Sequence, residues 1–168
     1  MPKALLPGSF DPPTNGHLNL IERAIRIFDD VDVVIAQNSQ KQYTFSADER
    51  LEMMKKLTAR WDNVHVYVWD RMIVEFARAA EAPVMIRGVR ALSDFSYEFE
   101  LSMLNKGLDP GIETIFMPTD ARYFVLRSSA IKELVRLGGD VSAMVPPVVE
   151  ECLRKKIGQT IADNEPAC

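Results

Sequence analysis

The chain has 168 residues, of which 47% are hydrophobic and 26% are charged, and its formal net charge is −4. These values are ordinary for one globular domain and exclude a general nucleic-acid binder, which would carry a basic surface. We find no signal peptide and no apolar run near the roughly 18 residues that span a bilayer. Cys152 and Cys168 form no disulfide framework. We therefore expect a cytoplasmic protein with neither a membrane nor a nucleic acid as partner.

The chain begins with half of a βαβ unit. Residues 4–6 are a short apolar run typical of a buried strand, which Pro7-Gly8 is expected to end. The loop continues to Gly16, and a helical period begins at His17, with Ile21, Ala24, Ile25 and Phe28 on one face. The start of such a helix presents backbone N–H groups, so this loop predicts an anion site. Its glycines lack the spacing of the dinucleotide and Walker motifs.

Four further strands alternate with helices along the chain. The strands are predicted at 31–36, 64–69, 83–86 and 113–117. The helices are predicted at about 46–61, 72–81, 94–106 and 128–137 and from 147 on, with a frayed tail after about 158. This alternation predicts one α/β domain over 1–168, with a Rossmann-like, five-stranded parallel sheet of order 3-2-1-4-5 and helices on both faces.

The predicted sheet brings four segments to one rim. The strand order reverses between strands 1 and 4, and ligands of such sheets bind there, outside the carboxyl ends of the strands. The segments at this rim are the loop 7–16, the loop with Lys41, the loop with Arg87, Gly88 and Arg90, and the helix start at Ser128-Ser129. Basic side chains, a histidine and two helix N-termini would meet, which predicts a site for a polyanionic substrate.

Several motifs, in their order and spacing, resemble the bacterial phosphopantetheine adenylyltransferases of the (H/T)xGH nucleotidyltransferase superfamily. They lie between Ala4 and about Ile157 and are Pro7-Gly8-Ser9-Phe10-Asp11-Pro12, Thr14-Asn15-Gly16-His17, Phe45 with Glu49-Arg50, Ile86-Arg87-Gly88-Val89-Arg90, Asp94-Phe95-Ser96-Tyr97-Glu98, Ser128-Ser129 and Lys132-Glu133. The resemblance implies AMP transfer from ATP to 4′-phosphopantetheine with Mg²⁺, giving dephospho-coenzyme A and pyrophosphate by in-line attack without a covalent enzyme intermediate.

The resemblance also implies the site residues, none of them a metal ligand. The implied catalytic residues are His17, Lys41 and Arg90, and the implied phosphopantetheine contacts are Ser9, Lys41, Ile73 and Arg87. The implied ATP contacts are Ser9, Phe10, His17, Gly88, Val89, Arg90, Glu98, Tyr123, Phe124, Val125, Leu126, Arg127, Ser128 and Ser129. Ser9 replaces the threonine of many relatives and keeps the hydroxyl. Arg127 replaces a small hydroxyl residue, which leaves the triphosphate contacts of its loop open.

The same resemblance implies a homohexamer built as a dimer of trimers, with dephospho-coenzyme A or coenzyme A as product or feedback ligand. The predicted helix from Asp94 agrees with assembly, because it carries two apolar rows and only one can cover the sheet. The rows are Phe95, Phe99 and Met103, and Leu101, Leu104 and Leu108.

Three alternatives stay open or are weakened. Another nucleotidyltransferase, such as a cytidylyltransferase or a nicotinamide-mononucleotide adenylyltransferase, is the nearest. A fragment of a class I aminoacyl-tRNA synthetase is disfavoured because no KMSKS-like loop is present. A regulatory module that binds nucleotide without catalysis is the third.

For the enzyme, His17 is expected to donate a hydrogen bond rather than remove a proton, since a phosphate nucleophile is mostly ionised at pH 7.

Overall fold

The computed structural model describes residues 3–123 and 127–164. The strands are β1 (Ala4–Gly8), β2 (Val31–Ala36), β3 (Val64–Trp69), β4 (Val84–Val89) and β5 (Glu113–Pro118). The helices are α1 (Asn15–Ala24), α2 (Ala47–Thr58), α3 (Ile73–Ala79), α4 (Leu92–Leu108), α5 (Ser128–Arg136) and α6 (Pro147–Asn164), with a 3₁₀ turn at Ala121–Tyr123. All described strand pairs are parallel, and the order β3-β2-β1-β4-β5 confirms the predicted sheet.

Alternate side chains of the central strands pack on opposite faces of the sheet. Leu6 and Val33 pack in a core with Ile21 of α1 and Met54 of α2. Their sequence neighbours Leu5 and Val34 lie on the other face, in a core with Val74, Phe76 and Ala77 of α3. The central strands are therefore apolar on both faces, as buried parallel strands are.

A third apolar cluster lies beside the sheet and joins α2 to the C-terminal helices. It contains Phe45, which lies just before α2, Met53 of α2, Ile131 of α5 and Leu153 of α6. Burial in this cluster fixes α5, so the N-terminus of α5 is held beside the loop that follows β1. Ser128 at that N-terminus donates to the Pro12 carbonyl over 3.2 Å.

Strands β1 and β4 are longer than predicted. Pro7 and Gly8 do not end β1 but pair with β2, and Arg87 and Gly88 lie within β4 rather than in the loop after it. The backbone of Ala4 faces β2, so by alternation Pro7 faces β4. β1 and β4 pair through Ala4 and Leu5 and separate beyond them. A proline is tolerated at this point because no ladder donor is required there.

Helices α4 and α6 also depart from the predictions. α4 contacts the sheet through Phe95, whose ring centroid lies 5.1 Å from that of Phe116 in β5, but the helix has no buried residue. Its apolar rows are therefore covered only in part, and Leu104 is 64% exposed. α6 continues to Asn164, because no proline or glycine interrupts it after Gly158. In the described parts of the chain, no helix is both long and apolar enough to cross a bilayer.

Candidate active site

A cavity of about 480 Å³, here called the rim cavity, lies where β1 and β4 separate. The loop after β1, the start of α1, the loop after β2, the end of β4 and the start of α5 all contribute to it. Its lining contains eleven of the predicted site residues: Ser9, Phe10, His17, Lys41, Arg87, Gly88, Arg90, Glu98, Arg127, Ser128 and Ser129. The four segments predicted to meet at the strand-order reversal therefore do meet.

The structure describes three further predicted site residues, and these lie outside the lining of the rim cavity. Ile73 lines a neighbouring cavity of about 240 Å³, here called the side cavity, which shares Ser9, Arg87 and Glu98 with the rim cavity. Of the described residues, Val89 and Tyr123 are not part of the rim cavity lining. Val89 pairs with Pro118 at the end of the sheet. Phe124, Val125 and Leu126 lie outside the described residues.

The ring of His17 is held in one orientation by the start of its own helix. Thr14 is the N-cap of α1, and its backbone N–H donates to His17 Nδ1 over 3.0 Å, while the His17 N–H donates to Thr14 Oγ1 over 3.3 Å. Since Nδ1 accepts a hydrogen bond from the Thr14 N–H, the ring proton of neutral His17 lies on Nε2. This leaves an Nε2–H donor in a residue that lines the rim cavity.

Its surroundings keep His17 uncharged. The edge of the ring packs against Phe10, with ring centroids 4.9 Å apart. Burial of the imidazole, together with the positive charge of Arg90, lowers the pKa of His17 from 6.5 to about 4. Near neutral pH the residue is therefore a neutral hydrogen-bond donor, and it is a poor proton acceptor.

Arg87 is bound to Glu98 on one side and to the sheet on the other. Its Nε and Nη2 donate to the two oxygens of Glu98 over 2.5 and 2.7 Å. Its Nη1 donates to the Pro7 carbonyl over 2.9 Å. The resemblance assigned Glu98 to ATP, whereas here its carboxylate orients Arg87. A bidentate pair of this kind fixes the plane of the guanidinium as well as its position.

Two further pairs of basic and polar groups surround the cavity. Lys41 Nζ donates to Ser9 Oγ over 3.3 Å, which brings the loop after β2 to the loop after β1. Arg90 Nε donates to Asp94 Oδ2 over 3.0 Å, and Arg127 Nη2 lies 3.9 Å from the other oxygen of Asp94. Arg127 thus reaches the cavity lining next to Arg90, at the position where the resemblance predicts a small hydroxyl residue.

The sequence analysis did not assign Asp11 or Lys132 to the site, although both line the rim cavity. Asp11 is 6% exposed and accepts hydrogen bonds from the N–H groups of Thr44 and Phe45, each over 2.9 Å. Lys132 Nζ lies 3.2 Å from Asp11 Oδ2. The signal for Lys132 was its position one turn after Ser129, which places its side chain over the start of α5.

The carboxylates of the cavity bear on how a metal ion would be held. Asp11, Asp94 and Glu98 each contact a lysine or an arginine. Among the described residues, no three His, Cys, Asp or Glu side chains are grouped so that they could hold a metal ion. A Mg²⁺ ion that keeps several waters and binds through substrate phosphates needs few protein ligands. The cavity fits an ion that arrives with a polyphosphate.

Comparisons with known proteins agree with this geometry. The cytidylyltransferase-like family model matches residues 5–134 of the chain, which extend from β1 into α5 and include each segment of the rim cavity. The phosphopantetheine adenylyltransferase of Desulforudis audaxviator (strain MP104C) is 46% identical to the chain over 155 residues, which are 92% of this chain and 95% of that protein.

Proposed function

The chain belongs to the cytidylyltransferase-like family and, within it, to the phosphopantetheine adenylyltransferases, and from this we propose that it transfers AMP from ATP to 4′-phosphopantetheine. The products are dephospho-coenzyme A and pyrophosphate, which places the enzyme in coenzyme A biosynthesis. The residues of the two cavities are assigned to the two substrates below.

The observation that carries this assignment is the junction of the two cavities. The rim cavity has basic residues and two helix N-termini around it, which suits a triphosphate. The side cavity has apolar residues such as Ile73, Met85 and Leu101, which suit the pantetheine chain. Ser9 and Arg87 lie in both linings. We therefore place the phosphate of 4′-phosphopantetheine at this junction, beside Lys41.

The reaction requires positioning more than proton transfer. An oxygen of the acceptor phosphate attacks the α-phosphorus of ATP, the new P–O bond forms, and the bond to the pyrophosphate oxygen breaks. At pH 7 that acceptor is mostly a dianion, since its second pKa is about 6, so no base is needed. Lys41 and Arg87 hold the acceptor, and the Nε2–H of His17 donates to the α-phosphate, where charge develops.

The remaining cations of the rim cavity bind the leaving group. Arg90, Arg127 and Lys132, with the N-terminus of α5 at Ser128 and Ser129, are assigned to the β- and γ-phosphates. Mg²⁺, carried on the triphosphate, would neutralise part of the charge that accumulates on pyrophosphate. Gly88 and Leu20 both line the cavity, and a glycine is required at position 88 because a Cβ there would collide with the Leu20 side chain.

The wider setting of the enzyme follows from the same proposal. Residues 1–168 form one nucleotidyltransferase domain in the cytoplasm, and coenzyme A or the product dephospho-coenzyme A acts as a feedback ligand at the same cavities. The subunits assemble as a homohexamer, a dimer of trimers. The support for assembly is α4, where Leu92, Tyr97, Phe99, Met103, Leu104 and Leu108 are all exposed.

The proposal is tested by pyrophosphate release. The purified chain is incubated with ATP, Mg²⁺ and 4′-phosphopantetheine, and both pyrophosphate and dephospho-coenzyme A are measured. Parallel reactions replace ATP by CTP, or the acceptor by nicotinamide mononucleotide, and one omits the acceptor. Equal amounts of both products, formed with ATP and phosphopantetheine alone, are expected. Faster turnover of another pair would assign a different nucleotidyl transfer, and no turnover would favour a nucleotide-binding module.

A further inference from the structure

Arg50 in α2 is a buried cation that forms no ion pair with an acidic side chain among the described residues. Arg50 is 0% exposed. The nearby carboxylate of Asp11 is paired with Lys132, and no ion pair of Arg50 is found within the described ranges. Its three donor groups bind uncharged oxygens instead. Nη1 donates to the Ser9 carbonyl over 2.8 Å, Nε donates to the Ser46 carbonyl over 3.3 Å, and Nη2 donates to Oε1 of Gln37. Buried charges in proteins are usually neutralised by an opposite charge, so this arrangement requires an explanation.

The nearby carboxylate of Asp11 does not supply that neutralisation. Burial of the guanidinium lowers the pKa of Arg50, and the through-space attraction of Asp11 opposes this only in part. The oxygens of Asp11 accept from Thr44, from Phe45 and from Lys132. The ion-pair partner of Asp11 is therefore Lys132, and the charge of Arg50 is offset only in part by the described residues.

The contacts of Arg50 converge on the residues assigned to the acceptor phosphate. Ser9, whose carbonyl it binds, also receives a hydrogen bond from Lys41. Gln37 and Tyr43 lie on either side of Lys41 in the loop after β2, and the guanidinium stacks on the Tyr43 ring at 4.1 Å from its centroid. Arg50 thus contacts both loops near Ser9 and Lys41, which line the rim cavity.

We propose that Arg50 is a positioning residue for the acceptor and that the phosphate monoester bound at Ser9 and Lys41 is its counter-ion. This inference rests on the proposed function, which places that phosphate there. Carbonyl and amide acceptors hold the guanidinium in place without cancelling its charge. The charge therefore attracts the acceptor dianion through the two loops that it supports.

The test gives Arg50 a carboxylate of its own. Gln37→Glu keeps the shape of the side chain and the hydrogen bond to Nη2 but neutralises the guanidinium. Gln40→Glu is the matched control, because it adds the same charge to the same loop at an exposed position. Thermal unfolding, KM values for both substrates and direct titration with 4′-phosphopantetheine and with inorganic phosphate are measured for both variants and for the wild type.

We expect Gln37→Glu to be at least as stable as the wild type, because it gains a charge-assisted hydrogen bond. Its affinity for both phosphate ligands should fall at least about tenfold, because one unit charge roughly 10 Å away at an effective dielectric constant of about 20 changes binding by somewhat more than this factor for each charge of the phosphate. The KM for ATP and the affinities of Gln40→Glu should change less than about threefold.

Unchanged phosphate affinity in Gln37→Glu, an equal loss in Gln40→Glu, or an equal rise in both KM values would overturn the inference. Loss of the fold would also overturn it, since a counter-charge for an incompletely neutralised arginine should not destabilise the protein. The proposed function is tested by a separate result. If the wild type releases no pyrophosphate with 4′-phosphopantetheine, that assignment is wrong, while titration with inorganic phosphate still decides the role of Arg50.

Discussion

Replacement of His17 by alanine gives a direct test of a neutral donor at the α-phosphate. The hydrogen bond from Thr14 to Nδ1 fixes the ring proton on Nε2, and burial with the charge of Arg90 lowers the pKa of His17 to about 4. Removing one donor to a developing oxyanion typically costs about 10²–10³ in turnover. We therefore expect His17→Ala to lose kcat by about that factor, with a smaller rise in the KM for ATP.

The pH dependence separates a donor from a base. A donor that stays neutral above pH 5 gives a ratio of wild-type to His17→Ala turnover that is constant between about pH 6 and pH 9. Both enzymes share the ionisation of the acceptor phosphate, which cancels in the ratio. A ratio that falls toward one as the pH rises would show that His17 had been removing a proton, and the donor assignment would be wrong. His65→Ala, with a side chain 44% exposed outside the rim cavity, is the control and should keep full turnover.

The same pKa makes a prediction about stability. Unfolded His17 binds a proton near pH 6.5 and the folded residue near pH 4, so protons favour the unfolded state between these values. The contribution of His17 to stability is therefore present above pH 6.5 and is lost as the pH falls toward 4. A shift from 6.5 to about 4 corresponds to at most about 3 kcal/mol. Between pH 7 and pH 4, the free energy of unfolding of the wild type should fall by up to this amount more than that of His17→Ala, as measured by denaturant titration. Equal losses in the two proteins would mean that the folded ring is not kept neutral.

Three further predictions concern the other parts of the site and the assembly. Lys41→Ala and Arg87→Ala should each raise the KM for 4′-phosphopantetheine roughly 10- to 150-fold, the effect of one charge-assisted contact, and unaltered kinetics in both would refute the acceptor assignment. Gly88→Ala should lower the free energy of unfolding by about 1–3 kcal/mol in denaturant titrations, because the new methyl group collides with the buried Leu20, and an unchanged midpoint would show that Leu20 moves freely. Light scattering should give about six times the chain mass of 19.0 kDa, and Leu104→Glu on the exposed face of α4 should reduce it; a monomeric wild type at micromolar concentration would refute the assembly.

The fold was predictable because its signals are local and repeated. The run 31–36 is apolar except for Asp32, as expected for a strand covered on both faces, and Ser46 with Glu49 forms the capping box that opens α2. The alternation of strands and helices indicated a parallel sheet with right-handed crossovers, for which 3-2-1-4-5 is the Rossmann-like strand order. The end of β1 was missed because proline usually interrupts strands, and the separation of β1 from β4, which permits Pro7, is a property of the sheet rather than of the local sequence.

The candidate site was predictable to the level of segments but not of pairings. Strand ends bring His17, Lys41 and Arg87 to one rim, as the topology requires. The partner of Arg87 could not be predicted, since Glu98 is eleven residues away and contacts it through the packing of α4 against β4. Burial of Arg50 was likewise hidden, because an arginine in the first turn of an amphipathic helix is ordinarily exposed.

The separation of the two central strands has a consequence for how ligands enter. Pro7 has no N–H group to donate, and its carbonyl already accepts a hydrogen bond from the guanidinium of Arg87. Strands β1 and β4 therefore cannot extend their hydrogen-bond ladder toward the rim. The gap between them is part of the backbone design and exists before any ligand arrives. Ligand binding therefore requires no free energy to separate the strands. Substitution of a lining side chain can lower the affinity for a ligand without closing the gap. The opening at the centre of the sheet is therefore permanent, and Pro7 helps to maintain it.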